Sequence, residues 1–475
     1  MTHRLPPYYP WTTAAVAFDV AMAAMAQPAE IEARAQRRLV ALLQSGVRRS
    51  PLIRRMVDGR DCANVHLADL PSSRKRELMS AFDDWVADPD VDRASLQRHL
   101  DDPSRIAEPY LDRYLVWESS GSSGDPAIFL QDAQTMAVYD ALEALRRPRL
   151  RDTRNWLAPW SLADTTAFVG ATDGHFASNV ALERLRRLNP LLRERLNAIS
   201  FLQPLDELCR ALEKLAPTVI ATYPTQAMLL AEERTAGRLR IAPREIWTGG
   251  ETLTLAVRRM VERAFACRVV NSYGSSEFFA LAGDCPSGRL HLNSDWAILE
   301  PVDAHGHPVE RGTTGTTTLL TNLANSVQPV LRYDLGDRVR IHAMRCECGS
   351  PLPAIEVEGR ADDVLRLPGE DGRIVSLPPL ALATVLEQDA DLFDFQVVQH
   401  GPLRLELRSG LRAPSAQPRM RRARDVLRAF LARQGVRHAV IDCHPGKPVV
   451  VGRSGKIRRI VADVGTRRPA TRLAS

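Results

Sequence analysis

Apolar positions recur at helical spacing through the first hundred residues. Between 28 and 58, Ile31, Leu39, Leu42, Leu43 and Val47 stand among arginines, and Ser50-Pro51 closes the run. A second helical block is expected at 73–85, with Ser72 or Ser73 as its cap and Glu77 one residue late for a capping box from Ser73. Residues 135–145 read as another helix, and 156–170 as strand, turn and strand. Stretches 189–199 and 205–215 are amphipathic, 217–223 is a buried-type strand, and Pro224 opens a helix through Glu233. Strand 245–248, helix 255–265 and strand 268–273 continue an alternation that predicts an α/β sheet with crossover helices. Pro351, Pro353 and the charged stretch Glu358-Gly-Arg-Ala-Asp-Asp363 mark a boundary, beyond which a smaller α/β unit is expected. Its helices fall at 380–388 and 420–434, and its strands at 394–400, 403–408 and near Val440 and Val449.

The apolar run 13–26, ending in Ala-Met-Ala-Gln, has the outline of a signal peptide. Asp19 in its middle, and its continuation into the charged helical pattern of 31–43, favour an N-terminal helix instead. No run approaches membrane-spanning length. A chain of 475 residues suffices for two or more domains with a large core. Its 63 basic and 57 acidic residues leave a charge of +6, spread without aromatic interleaving, which describes a solvated surface and not a nucleic-acid face. Seven irregularly spaced cysteines form no disulfide framework and point to a reducing, cytoplasmic compartment.

Chemistry concentrates in a few clusters. Between two apolar runs lies Ser119-Ser120-Gly121-Ser122-Ser123-Gly124, where glycines free backbone amides and serines add hydroxyl donors, a cradle for phosphate oxygens or else a plain turn. It is not a Walker loop, because no Gly-Lys-Ser/Thr follows. Thr248-Gly-Gly250-Glu251 ends one predicted strand and Asn271-Ser-Tyr273-Gly274-Ser-Ser276-Glu277 ends the next, where open α/β sheets hold ligands. Tyr273 can lie flat on a base and Glu277 can hold magnesium; the plainer reading is a turn with a helix cap. Asp337, placed at the end of an apolar strand, can accept two hydrogen bonds from vicinal hydroxyls, or simply cap a turn with Gly336. Near the C-terminus Lys456 stands in Gly-Arg-Ser-Gly-Lys; it is one of four lysines in an arginine-rich chain, a compact charge that arginine's fork cannot replace in a narrow site.

This ordered set resembles the adenylate-forming acyl-CoA synthetase superfamily, and within it the phenylacetate-CoA ligase-like branch. The resemblance covers nearly the whole chain, from Arg38-Leu-Val-Ala-Leu-Leu through Gly359-Arg360-Ala-Asp362-Asp to Ser454-Gly-Lys456-Ile-Arg-Arg. It implies a large N-terminal adenylate-forming domain, 1–361, with a helical lead-in 1–110, and a small mobile domain, 362–475, carrying the catalytic lysine. Residues Ser119 to Gly124 would hold the ATP phosphates, Gly250 and Glu251 would border the adenine, and Tyr273 would stack on it, with Asn271 and Gly274 in the same pocket. Ser276 and Glu277 would bind phosphate and Mg2+, Asp337 the ribose, and Arg360 would lie near the nucleotide. Asp362 would be the hinge and Lys456 would bridge substrate carboxylate and α-phosphate. Two positions depart from the pattern: Asp125 replaces the usual lysine before Pro126, and Thr252 replaces the usual proline after Glu251.

The resemblance implies activation of a carboxylic acid as acyl-AMP, with transfer to coenzyme A, as in an aryl- or arylacetyl-CoA ligase; Tyr223 and Trp247 point to an apolar, aromatic acid, or else are ordinary core. An amine or carrier-protein acceptor and a catalytically silent nucleotide binder are the alternatives. No nucleic-acid or membrane partner is expected, and the protein is a monomer or homodimer. Finally, Cys285, His291, Cys346 and Cys348 supply a three-sulfur, one-nitrogen set suited to structural Zn2+, against a turn with free thiols and a solvent-facing histidine.

Overall fold

The computed structural model describes residues 6–119, 126–147, 164–358, 363–392, 395–410, 416–446 and 459–462. The chain divides into two units, one comprising Met1–Ser119, Pro126–Ile199 and Leu212–Gly359, the other Ser120–Asp125, Ser200–Ala211 and Arg360–Ser475.

In the first unit helices Pro10–Ala23, Pro28–Arg49 and Pro51–Val57 each open on proline, whose missing N–H costs nothing in a first turn. Asp19, the charge that interrupts the first apolar run, is the anchor of this lead-in. It pairs with Arg34 at 2.5 Å and with Arg38, and Arg38 lies 3.5 Å from buried Asp295, which Arg146 grips from the other side at 2.6 and 2.7 Å. The next block is a correction to its expected cap: helix Lys75–Ser80 begins after Arg74, whose amide donates to the Glu77 carboxylate. Ser73 is instead buried, its hydroxyl donating to Leu331 O at 2.9 Å.

The central sheet runs in the order Arg338–Ile341, Ala354–Glu358, Leu290–Leu292, Ala282–Asp284, Arg268–Tyr273, Glu245–Thr248, Val219–Thr222, Thr166–Gly170, Leu196–Ser200. From Thr166–Gly170 to Arg268–Tyr273 the ladders are parallel, with helices Pro224–Thr235 and Leu255–Phe265 as crossovers; beyond Arg268–Tyr273 they turn antiparallel. The stretch read as one amphipathic element, 189–199, divides into a short helix Pro190–Arg195 and the edge strand Leu196–Ser200. A hairpin, Leu115–Glu118 with Ile128–Gln131, flanks the Ser/Gly loop, and helix Ala133–Arg146 follows it. Trp117, Phe129, Tyr139 and Phe278, each at most 1% exposed, fill the core beneath these elements.

The second unit pairs Leu365–Pro368 with Ile374–Leu377 and builds a four-stranded sheet ordered Val440–Pro445, Arg404–Ser409, Gln396–Gly401, Ile460–Val461. Helices Pro379–Gln388 and Ala416–Arg433 accompany it. The strand expected near Val449 lies outside the described residues. No helix among the described residues is long and apolar enough to cross a membrane.

Candidate active site and cysteine cluster

The parallel strands deliver their loops to one edge of the sheet. After Glu245–Thr248 the chain turns at Gly250 (φ 77°), and the Tyr223 ring stands 3.2 Å from where a side chain on Gly250 would begin. That spacing and the positive φ both demand glycine. Glu251 then reaches back to helix Pro224–Thr235, accepting from the Thr225 amide at 3.0 Å and from its hydroxyl at 2.8 Å. A carboxylate at a helix N-terminus satisfies a donor that the helix itself leaves open. Burial, then the Glu251 charge, pushes the Tyr223 hydroxyl up to about 12. Asn271, at the next strand end, accepts from the Thr248 hydroxyl at 2.9 Å.

Tyr273 closes its strand with its hydroxyl donating to Asp337 at 2.9 Å, so the two residues expected to touch base and ribose are joined to each other. Burial and the neighbouring carboxylate hold the Tyr273 hydroxyl well above its ordinary range. Asp337 stands not at the end of an apolar strand, as expected, but just before strand Arg338–Ile341. Gly274 is fixed by packing: a Cβ there would meet Phe279 O at 2.1 Å. The turn that follows opens no helix. Ser275 N donates to Phe278 O at 3.0 Å, and the Ser276 carbonyl accepts from the Trp117 indole at 2.8 Å. Glu277 is 8% exposed; burial raises its carboxyl above the usual range, against hydrogen bonds from the Tyr333 and Ser275 hydroxyls and the charge of Lys75. Its carbonyl accepts from Asn322 at 2.8 Å, which pins the backbone. A buried carboxylate with a raised pKa and hydroxyl donors fits a divalent cation, whose charge offsets the desolvation.

Ser119 closes the hairpin: its amide donates to Ala127 O at 2.8 Å and its Oγ accepts from Ala127 N at 2.9 Å. Ser120, Gly121, Ser122, Ser123, Gly124, Arg360, Asp362 and Lys456 lie outside the described residues. Their neighbours are informative within the second unit. Asp363 N donates to Ile460 O at 3.1 Å and Ala462 N to the Asp363 carboxylate at 3.0 Å, tying the segment after Asp362 to the segment after Lys456. Trp117, Thr225, Ser275 and Tyr333 were not singled out from sequence. Ser275 and Tyr333 had a signal, since one lies within Asn271–Glu277 and the other opens Tyr333-Asp-Leu-Gly-Asp337.

At the other end of the sheet Cys285, His291, Cys346 and Cys348 converge, their ligand atoms all within 4.8 Å of one another. Cys285 Sγ and Cys346 Sγ are 3.9 Å apart, and Cys348 Sγ lies 3.3 Å from His291 Nε2. His291 Nδ1 is 2.8 Å from Leu352 O, so Nδ1 carries the proton and Nε2 turns its lone pair toward the sulfurs. His291, 6% exposed, does not face solvent. Register explains the meeting: Ala354 pairs with His291, and tight turns with Gly288 (φ 76°) and Gly349 (φ 77°) fold Cys285 and Cys346 inward. Zinc bonds of about 2.3 Å to sulfur and 2.0 Å to nitrogen set tetrahedral ligand atoms roughly 3.5–3.8 Å apart; the two close contacts here, 3.9 and 3.3 Å, bracket that range, and the four atoms together lie within 4.8 Å.

No family model matches the sequence. Protein CapK of Staphylococcus aureus is 31% identical over 134 residues, so that the match spans 28% of this chain and 28% of that protein. Among solved structures, 2-hydroxyisobutyryl-CoA ligase in complex with 2-HIB-AMP and CoA aligns over 93% of this chain and 91% of its own, with TM-score 0.58 and 19% identity. An open conformation of that enzyme covers 90% of each chain at TM-score 0.52 and 19% identity. The chain has the fold of an adenylate-forming ligase. In this ligase fold the Tyr273–Asp337 pair and the Glu277 turn belong to the large unit.

Proposed function

We propose that the protein is an AMP-forming carboxylate–CoA ligase of the phenylacetate-CoA ligase-like branch, acting in the cytoplasm. The observation that carries the reading is the Tyr273–Asp337 hydrogen bond beside buried Glu277, at the loop edge of a ligase-type sheet. ATP would replace that internal bond: its ribose hydroxyls donate to Asp337 and its base lies along the Tyr273 ring, with Gly250 and Tyr223 on the other side. Magnesium, held through Glu277, supplies charge neutralisation for the phosphates. The Ser119 hydroxyl, the amides of 120–124, Ser276 and Lys456 add donors where negative charge builds, a task of positioning and electrostatics. The acid oxygen attacks the α-phosphorus, pyrophosphate departs, and the acyl adenylate passes its acyl group to the coenzyme A thiol. Tyr223 and the Trp247 strand favour an aromatic acid.

Zinc at Cys285, His291, Cys346 and Cys348 is part of the same proposal. Four protein ligands leave no open position, so its role is structural, locking two turns at the antiparallel end of the sheet. Pyrophosphate release across a panel of carboxylic acids, with and without coenzyme A, tests the function. Release that requires an aryl acid and thioester that requires coenzyme A are the expected results. Adenylation with transfer to an amine or carrier protein would redirect the acceptor. Nucleotide binding without release, the outcome Asp125 beside the phosphates would favour, would refute the catalytic reading.

A further inference from the structure

Arg332, one residue before Tyr333, lies in the left-handed region at φ 44°, a conformation that glycine fills without cost and a long side chain does not. The register on either side shows what this turn does. Asn322 N donates to Val330 O at 2.9 Å, whereas Leu320 pairs with Tyr333 and Leu319 with Asp334. Two steps along strand Thr317–Asn322 therefore face three from Val330 to Tyr333, and the extra residue makes a β-bulge at Leu331-Arg332. Because successive side chains of a strand point to opposite faces, one extra residue sends Tyr333 to the face it would otherwise leave. There its hydroxyl donates to the buried Glu277 carboxylate.

A glycine would make the same bulge without strain, so what arginine adds is its side chain. Buried at 5% exposure, it donates from Nη1 to Ala68 O at 3.0 Å and Leu70 O at 2.5 Å, and from Nε to Glu300 at 3.2 Å. Two carbonyls and a carboxylate spread around one group suit a planar fork of donors and not the single point of a lysine. The backbone is tied as well: Arg332 N donates to Thr321 Oγ1 at 3.1 Å, and Arg332 O accepts from Ser73 N at 3.0 Å. We propose that Arg332 is a positioning residue, whose side chain fixes the bulge that holds the Tyr333 hydroxyl on Glu277 and so sets that carboxylate for a divalent cation. This rests on the reading of Glu277 as the carboxylate that holds magnesium. Groups that orient a metal's ligand are worth about 10–100-fold in metal affinity.

The test uses the full chain and measures binding of the Mn2+–ATP complex by electron paramagnetic resonance, with no acid substrate present. Tyr333→Phe deletes the hydroxyl and keeps the bulge; Arg332→Gly keeps the left-handed turn and deletes the anchor. Each should weaken Mn2+–ATP binding by about tenfold or more and leave the affinity for metal-free ATP at the wild-type value. The double variant should bind no more weakly than the weaker single, because both changes act through one bond. Should Arg332→Gly fold poorly, adding Glu300→Gln removes the carboxylate left without its partner, and the same weakening is expected. An Arg332→Gly protein that melts earlier yet binds Mn2+–ATP like wild type has lost a merely structural residue, which overturns the proposal. Effects of the two single changes that multiply, or equal loss of metal-free ATP, would overturn it too. Wild-type protein that binds no Mn2+–ATP would remove the ligase reading itself, and the proposal with it.

Discussion

The loops that end the parallel strands and the cysteine cluster hang from one sheet of the large unit, yet they meet their polar demands in different ways. The loop carboxylates are answered from within: Asp337 by Tyr273, Glu251 by Thr225, Glu277 by Tyr333 and Ser275. Such bonds can be exchanged for ligand hydroxyls or a cation at little net cost, since a hydrogen bond lost to one partner is regained with another. The cysteine cluster answers itself with its own side chains, Cys285 against Cys346 and Cys348 against His291. Three sulfurs and one imidazole nitrogen face one another, and burial pushes the Cys348 thiol up to about 11. Internally bonded carboxylates suit the exchange proposed for the loops, and converging sulfurs suit the structural zinc proposed for the cluster.

The sharpest test of this contrast removes the cation proposed for the phosphates. Lys456→Ala should slow adenylate formation by about two to four orders of magnitude, leave melting temperature nearly unchanged, and spare thioester formation from supplied acyl adenylate. Near wild-type turnover would discard the assignment of this lysine. Next, the Cys346→Ser, Cys348→Ser variant should lose stoichiometric zinc by elemental analysis and roughly 2–5 kcal/mol of stability, with the affinity for ATP little changed in whatever protein stays folded. Metal-free wild-type protein, folded and active, would remove the distinction between the two clusters.

Asp337→Ala should raise the KM for ATP by about 10–100-fold, the worth of charge-assisted hydrogen bonds to a ribose, with a smaller change in kcat. An unchanged KM would mean that the Tyr273–Asp337 bond is purely structural. The smallest effect concerns Glu118, at the root of the Ser/Gly loop. Burial, then the Asp101 charge, pushes its carboxyl up to about 7. The folded chain therefore keeps a proton that the unfolded chain releases near pH ~4.3, and its contribution to stability is lost as pH rises from there to about 7. Glu118→Gln should stabilise the protein by ~1–3 kcal/mol at pH 8 and change nothing at pH 4. Denaturation curves that shift equally at both pH values would contradict the burial of this group.

Much of this was legible in the chain because it is local. Periodicity placed helices Pro28–Arg49, Ala133–Arg146 and Leu255–Phe265 and strands Glu245–Thr248 and Arg268–Tyr273 within a few residues, since each buries one face or both. Alternation along 217–273 likewise required parallel ladders, because strand, helix and strand can close in one hand only. The edge strand Leu196–Ser200 was hidden, for its residues are all half-buried and its preceding helix shares the same amphipathic spacing. The cap at Lys75–Ser80 also went astray, because Ser73, the better capping residue, was claimed by a long-range bond to Leu331.

By itself the sequence determined which residue types stand at the strand ends and that they recur in the order of an adenylate-forming ligase. It could not say what those residues touch. That Tyr273 bonds Asp337, 64 positions away, and that Glu251 caps a helix begun 27 residues earlier, follow from which strands neighbour which, a matter of sheet order and not of spacing. The cysteine cluster is the clearest case. Cys285 and Cys346 are 61 residues apart, and only the register that sets Ala354 beside His291 brings their sulfurs to 3.9 Å. The outward face of helix Pro10–Ala23 is the converse: its apolar character was plain in the sequence, while the exposure of Trp11, Phe18 and Met22 is a tertiary fact, since helix Ala133–Arg146 packs against the other side.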